Sequence, residues 1–406
     1  MSAPVVEAEK RGFRAPGTGF MVAGALIGAV GAYLFQVYGG RSLGPEAFAP
    51  VSILWTTFFI LATVLLVPVE QYVTREVASG RRAIPNDLRP TLAMASIGAV
   101  VGGVFVFVTL DDLFEGDLQY VAQIVLLMVG YSLLFAGKGV LAGTRHFAQV
   151  GWVLVIETLA RLAAGIIAIQ LLATATSLGW AMVIGGVAVL AMRWWRYDTG
   201  ESKESSTPAR GFLAGYVGGT SSSQLLLGGA PIAVAALGGS PALISIVFVT
   251  FTLFRAPLTL IFALQGRVLP YLVGLAREAD HAQLARIARL VVFGGAGLAV
   301  LGGLVGWFVG AEVVVLLFGE EFAPTATVAM LAAAGVMAAA AAQIASQVLV
   351  AEARTRRLSL AWLGGLAAGV LALLLLRAEP DTRVALSFAI GEFVALSLMA
   401  VLATRR

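Results

Sequence analysis

Twelve apolar stretches alternate with short polar connections along the 406-residue chain. A transmembrane helix needs about 20 mostly apolar residues, and each stretch is close to that length. The pattern therefore predicts an all-α polytopic membrane protein of about twelve transmembrane helices. The predicted spans are 18–38, 48–69, 91–110, 120–141, 151–173, 178–195, 212–237, 243–264, 290–309, 325–350, 359–376 and 384–403.

Positive charge is confined almost entirely to every second connection and to the two termini. Of the 27 Lys and Arg residues, three lie in the opposite set of connections, namely Arg41, Arg377 and Arg383. Two more, Arg161 and Arg255, lie inside apolar stretches. Because Lys and Arg are retained in cytoplasmic loops during membrane insertion, this distribution predicts that both termini are cytoplasmic.

Composition supports a membrane protein and argues against several kinds of chemistry. Hydrophobic residues make up 59% of the chain and charged residues 12%, against about 25% charged in soluble domains. There is no cysteine, which excludes disulfides and thiolate chemistry. The two histidines, His146 and His281, fall in predicted cytoplasmic loops. We expect no metal site, no cofactor, no nucleic-acid partner and no enzymatic activity.

The most polar segment, 198–210 (DTGESKESSTPAR), divides the chain into two halves of six spans each. Its composition predicts a flexible cytoplasmic linker between an N-terminal six-helix lobe (18–197) and a C-terminal six-helix lobe (211–406). A cytoplasmic segment, 1–17, precedes the first lobe. Gly19-Phe20 and Gly211-Phe212 open the two lobes, a weak echo that favours a parallel internal repeat.

Glycine pairs with the spacing Gly-x-x-x-Gly recur within the apolar stretches. This spacing lets helix backbones approach closely in a membrane. It therefore predicts a tightly packed helical bundle. The pairs are Gly24/Gly28, Gly98/Gly102, Gly139/Gly143, Gly215/Gly219, Gly302/Gly306 and Gly365/Gly369.

Four ionisable residues stand out inside the predicted spans, where each charge costs about 2.5–3.5 kcal/mol on insertion scales. Glu157 and Arg161 are four residues apart and share a helix face, so a salt bridge competes with a role in substrate binding. Arg255 could bind an anionic pyrophosphate or pair with a distant carboxylate. Glu392 could pair with Arg255 or Arg161, form an interhelical hydrogen bond, or couple transport to protons.

Four short stretches resemble the polysaccharide transporter family, which belongs to the superfamily of multidrug, oligosaccharidyl-lipid and polysaccharide exporters. RSLGPEAF at 41–48 resembles the family's turn between the first two spans, and VTREVA at 73–78 resembles the loop after the second. LFRAP at 253–257 and LFGEEF at 317–322 resemble the eighth span and the turn after the ninth. The resemblance extends from about Gly19 to Ala403.

The resemblance implies two lobes around a central cavity and a flippase for a lipid-linked oligosaccharide in the bacterial inner (plasma) membrane. Its partners would be the lipid-linked glycan, membrane lipids, and glycosyltransferases or a polymerase of the same pathway. The expected substrate-binding residues are Arg255, Arg161, Glu157 and Gln36, with Glu392 as a coupling residue. A cation-coupled multidrug exporter and a non-transporting scaffold for glycan-assembly enzymes remain alternatives.

Two departures from related subfamilies narrow the choice. The first span contains neither the arginine of the lipid II flippases nor the carboxylate of many cation-coupled drug exporters. Gln36 is the most polar side chain between Gly17 and Gly40. Both subfamilies are therefore weaker candidates than a generic oligosaccharide flippase.

Overall fold

The computed structural model describes residues 17–78, 88–186, 190, 193–196, 209–256, 258, 272, 275, 281–352 and 354–404. Regular structure in these ranges is helical. The helices of the first half are α1 (Thr18–Leu61), α2 (Val67–Ala78), α3 (Arg89–Val108), α4 (Gln119–Gly143), α5 (Phe147–Leu171) and α6 (Ala175–Gly185). Those of the second half are α7 (Ala209–Gly228), α8 (Ala230–Ala236), α9 (Pro241–Phe254), α10 (His281–Phe318), α11 (Ala326–Ala351), α12 (Thr355–Leu375) and α13 (Pro380–Thr404).

Helix lies within each of the twelve predicted spans. In the described ranges, eight helical stretches are long and apolar enough to cross a membrane, and α6 and α9 are shorter apolar helices. The longest stretch, Gly19–Ala78, contains the first two predicted spans. Within it, a π-helical turn at Ala62–Leu66 joins α1 to α2. The prediction of an all-α, multi-pass membrane fold is confirmed.

The chain divides into two compact units. The described residues of unit 1 lie within Met1–Leu43 and Thr57–Val217, and those of unit 2 lie within Gly44–Thr56 and Gly218–Arg406. The predicted N-terminal segment, apart from Gly17, and the predicted linker up to residue 208 fall outside the described residues. The predicted lobe boundaries therefore stay a prediction.

The predicted connection between the first two spans is almost entirely helical. Helix continues from Thr18 to Leu61 and is interrupted at Gly44, whose φ of 76° and ψ of 167° are not helical. A residue with a Cβ rarely adopts this conformation, whereas glycine does so at little cost. Pro45 follows, and a proline fits the first turn of a helix because its missing N–H is not needed there. The helix is therefore interrupted at a single Gly-Pro pair.

Three helices begin at a residue whose side chain accepts a hydrogen bond from a backbone N–H of the first turn. The hydroxyl oxygens of Thr174, Ser240 and Thr325 each accept a hydrogen bond from the backbone N–H three residues later, at 3.2, 3.3 and 3.3 Å. These caps satisfy one of the four free N–H groups at a helix start. They fix the beginnings of α6, α9 and α11.

Glycines of the predicted pairs lie where helices approach closely. A Cβ added at Gly139 would fall 2.8 Å from the carbonyl oxygen of Glu70, and one at Gly365 would fall 2.7 Å from that of Gly391. Such backbone-to-backbone approach is the geometry expected of small residues in membrane helices. Close packing of α2 with α4 and of α12 with α13 is thus present, in agreement with the predicted packed bundle.

Gly151 of α5 tests this packing against a matched glycine. We expect Gly151→Ala to destabilise the protein by about 1–3 kcal/mol because overpacking forces backbone shifts. A Cβ at this position would lie 2.6 Å from the carbonyl oxygen of Phe20. Thermal unfolding in detergent would measure the loss.

Gly130→Ala in α4 is the control, because a Cβ there has no heavy atom within 4 Å. It should leave the melting temperature unchanged or raise it, since alanine favours helix by up to about 1 kcal/mol over glycine. Equal melting temperatures for the two variants would contradict the close contact at Gly151.

Candidate functional site

A buried cluster of polar side chains lies in unit 1. Glu157 and Arg161 form the predicted salt bridge, with 2.7 Å between Arg161 Nη1 and Glu157 Oε1. The hydroxyl of Tyr131 donates a hydrogen bond to the same carboxylate oxygen at 2.6 Å. Thr158 donates to the other carboxylate oxygen, Oε2, at 3.2 Å. Each carboxylate oxygen of Glu157 therefore has at least one donor.

Three helices form the walls of this cluster. Glu157 and Arg161 stand one helical turn apart on α5, so both point to the same side. Tyr131 approaches from α4. Gly185 of α6 lies over the group, and a Cβ there would fall 2.8 Å from the Tyr131 hydroxyl oxygen. The absence of a side chain at Gly185 therefore makes room for the cluster.

An aromatic ring of α1 also faces this group. The guanidinium carbon of Arg161 is 5.9 Å from the centre of the Phe35 ring, within the range of a cation–π interaction. The next residue, Gln36, is 2% exposed. Its side-chain oxygen is buried and accepts no hydrogen bond from the described part of the chain. Among the predicted site residues of unit 1, Gln36 therefore retains an unused acceptor.

Arg255 lies at the carboxyl end of α9 in unit 2. Its backbone N–H donates to the carbonyl oxygens of Phe251 and Thr252, both at 3.2 Å, and so closes the last helical turn. The Nε and Nη2 atoms of its guanidinium are buried. A permanent positive charge is thus held inside the predicted eighth span.

Glu392 lies in the middle of α13 and is fully buried. Neither of its carboxylate oxygens receives a hydrogen bond from the residues that the structure describes. Phe388, one turn earlier on α13, packs edge to face against Phe251 of α9, with 5.2 Å between the ring centres. Glu392 therefore lies on a helix that contacts the helix preceding Arg255, whereas Glu157 and Arg161 form an ion pair on one helix.

Sequence inspection missed Tyr131 in this cluster, and it also missed an ion pair between Lys138 and Glu70. Tyr131 gave no signal, because a tyrosine in an apolar helix is common. Lys138 forms a salt bridge with Glu70 at 2.8 Å and lies 3.9 Å from the centre of the Phe135 ring. Since Lys138 falls inside the predicted span 120–141, its position alone could have identified it as an intramembrane charge.

The described residues contain no group of three or more His, Asp or Glu side chains that could hold a metal ion. Some opposite charges of the described residues form ion pairs, such as Glu157–Arg161 and Glu70–Lys138. Removing one partner of a buried pair leaves an uncompensated charge.

Solved transporter structures share this fold. An inward-facing MATE family multidrug resistance transporter of the MOP superfamily matches with a TM-score of 0.68 and 13% sequence identity, over 91% of this chain and 93% of that chain. A mutant of the Vibrio cholerae MATE transporter VcmN matches with a TM-score of 0.64 and 14% identity, over 96% of each. The chain therefore has the fold of the MATE transporters of that superfamily.

Another structural neighbour carries a different pocket. A MOP superfamily transporter from Pyrococcus furiosus, whose binding pocket of reverse polarity suggests a different function, matches with a TM-score of 0.62 and 14% identity. The match covers 95% of this chain and 93% of that one.

Relatives by sequence are mycobacterial. An uncharacterized protein of Mycobacterium tuberculosis (strain ATCC 25618 / H37Rv) is 28% identical over 386 residues, covering 89% of this chain and 86% of the relative. A second one, from strain CDC 1551 / Oshkosh, is 26% identical over 387 residues, covering 90% and 86%. No protein-family model matches the chain.

The buried pair in unit 1 can be tested by a double-mutant cycle. We expect Arg161→Met alone to cost about 3–5 kcal/mol, because it leaves the Glu157 carboxylate buried without its cation. Adding Glu157→Gln should restore part of that loss, so that the two effects are not additive. Thermal or denaturant unfolding in detergent would measure the four variants.

The exposed Arg377 supplies the control for this cycle. Arg377→Met should change stability by less than about 0.5 kcal/mol, as is usual for surface substitutions. Additive effects of Arg161→Met and Glu157→Gln would show that the pair contributes no coupling.

Proposed function

We propose that this chain is a flippase of the bacterial inner membrane that moves a lipid-linked glycan outward by alternating access. The substrate would be a polyprenyl-pyrophosphate-linked oligosaccharide or a related cell-envelope glycan. The transporter fold supports a membrane exporter. The four stretches that resemble the polysaccharide transporter family support the glycan substrate.

The observation that carries the proposal is the partly buried guanidinium of Arg255, whose Nε and Nη2 atoms are shielded from solvent. A charge in an apolar span is costly and commonly marks a substrate pathway. A guanidinium stays charged at any physiological pH and can bind two phosphate oxygens at once through its planar donors. A pyrophosphate linked to a lipid brings an anion to this depth while its polyprenyl tail remains in the bilayer.

The remaining predicted residues would have supporting roles. The side-chain oxygen of Gln36, which accepts no hydrogen bond from the described residues, would accept one from a sugar hydroxyl. Glu157 and Arg161 would shape the polar interior of unit 1, with their charges largely cancelled by each other. Glu392 would serve as the coupling residue and would respond to the charge of Arg255. Moving a headgroup breaks no covalent bond, so none of these residues needs a catalytic role.

A cation-coupled multidrug exporter is the second candidate, and one observation favours it. Glu392 places a carboxylate in an apolar helix, and a buried acidic side chain could bind a cationic drug or a coupling ion. The solved neighbours include multidrug resistance transporters of the same fold. This alternative predicts efflux of cationic amphiphiles driven by a sodium or proton gradient, without a requirement for Arg255.

Reconstitution separates the two candidates. We expect proteoliposomes containing the protein to translocate a fluorescently labelled polyprenyl-pyrophosphate oligosaccharide, and Arg255→Ala to reduce the rate at least about tenfold. A tenfold loss corresponds to about 1.4 kcal/mol, close to the lower end of the range of about 1.5–3 kcal/mol for a hydrogen bond to a charged group. Arg255→Lys should recover part of the rate, because it keeps the charge but loses the two-point geometry.

Arg377→Ala is the matched control for this assay, since it removes a positive charge from an exposed position of the same unit. It should transport at the wild-type rate. If folded Arg255→Ala transports at the wild-type rate, Arg255 is not part of the substrate site. Gradient-driven export of a cationic dye, with no movement of the labelled glycan lipid, would favour the drug exporter.

A further inference from the structure

The surroundings of Glu392 are apolar on its own helix. Phe388 and Leu396, one turn before and one turn after it on α13, are 4% and 2% exposed. Its neighbour Gly391 lies against α12, where a Cβ on it would fall 3.0 Å from the carbonyl oxygen of Gly365. An ionised carboxylate in such a place is strongly disfavoured unless a cation compensates it.

Helix geometry brings Arg255 to the same level as Glu392. The rings of Phe251 on α9 and Phe388 on α13 pack edge to face, with 5.2 Å between their centres. In the predicted topology, the eighth and twelfth spans cross the membrane in the same direction. Arg255 follows Phe251 by four residues, and Glu392 follows Phe388 by four. Residues four apart lie on one face of a helix, so both charged groups lie one turn beyond the aromatic contact.

We infer that Glu392 is the resting counter-ion of Arg255, and that the anionic phosphate group of the substrate must displace it to bind. This inference rests on the proposed function and explains how the site would select its ligand. The substrate class is a phosphate or pyrophosphate ester. Glu392 then acts as a specificity-determining residue, because it competes with every anion for the same guanidinium.

Competition of this kind favours ligands of high charge. A carboxylate brings one negative charge and two oxygens, whereas a pyrophosphate brings more charge and more acceptors for the guanidinium donors. A monoanion would bind the guanidinium little better than Glu392 does, and a neutral glycan would not displace Glu392. The returning carboxylate would also help to release the substrate on the outer side, since it reoccupies Arg255 as the anion leaves.

Binding measurements on the full chain in lipid nanodiscs test the inference. Isothermal titration with inorganic pyrophosphate and with farnesyl pyrophosphate would compare wild type, Glu392→Gln and Glu392→Met. Both substitutions remove the competing charge, and methionine also removes the hydrogen-bonding groups. We expect both variants to bind pyrophosphate about tenfold more tightly than wild type, equivalent to about 1.4 kcal/mol.

Matched variants make the result specific. Glu312→Gln removes the same charge from an exposed position of unit 2 and should leave the affinity unchanged. Arg255→Ala should weaken pyrophosphate binding, and in combination with Glu392→Gln it should abolish the gain. If only farnesyl pyrophosphate shows the gain, the site takes lipid-linked phosphate. If inorganic pyrophosphate shows it equally, the site takes the phosphate itself.

The possible failures are distinguishable. Unchanged or weaker pyrophosphate binding by both Glu392 variants, with binding still dependent on Arg255, would overturn the counter-ion role and leave the proposed anion site intact. Wild-type affinity in Arg255→Ala would contradict the anion site and the counter-ion role together. Size-exclusion profiles and melting temperatures would identify any variant that fails to fold, and the second Glu392 variant then decides.

Discussion

The energetic cost of charge in hydrocarbon governs the candidate site. An ionisable side chain in a membrane span costs about 2.5–3.5 kcal/mol on insertion scales, so a chain with 12% charged residues places few of them there. Glu157, Arg161, Arg255 and Glu392 all lie within predicted spans. Each of these charges must be compensated nearby or retained for a purpose, and the two units meet that requirement in different ways.

Compensation is complete for the carboxylate of unit 1 and incomplete for that of unit 2. Glu157 accepts hydrogen bonds from Arg161, Tyr131 and Thr158, which occupy both of its oxygens. Glu392 accepts none from the described residues. A closed hydrogen-bond network rigidifies its surroundings. A carboxylate that accepts no hydrogen bonds is displaced at a smaller cost in free energy. We therefore propose that unit 2 recognises the charge of the substrate.

Sequence patterns predict the helical fold better than they predict the site. Apolar length and the placement of Lys and Arg identify membrane helices because hydrocarbon imposes strict rules on every span. The Glu157–Arg161 salt bridge follows from a spacing of four on one helix. The proposed pairing of Arg255 with Glu392 joins residues on two helices far apart in sequence, so the sequence alone left it as one of several alternatives for Glu392. The hydroxyl of Tyr131 reaches Glu157 only through the packing of α4 against α5.

Fold similarity alone says little about the substrate of such a protein. Solved transporters share this fold at 13–14% sequence identity, since most positions need only be apolar, small or able to end a helix. Function then depends on the few side chains that break those rules. The neighbour from Pyrococcus furiosus, with its binding pocket of reverse polarity, illustrates that the same scaffold accommodates different charges. The sign of the charge at Arg255 is therefore a stronger argument about the substrate than the fold is, because a permanent cation favours an anionic headgroup.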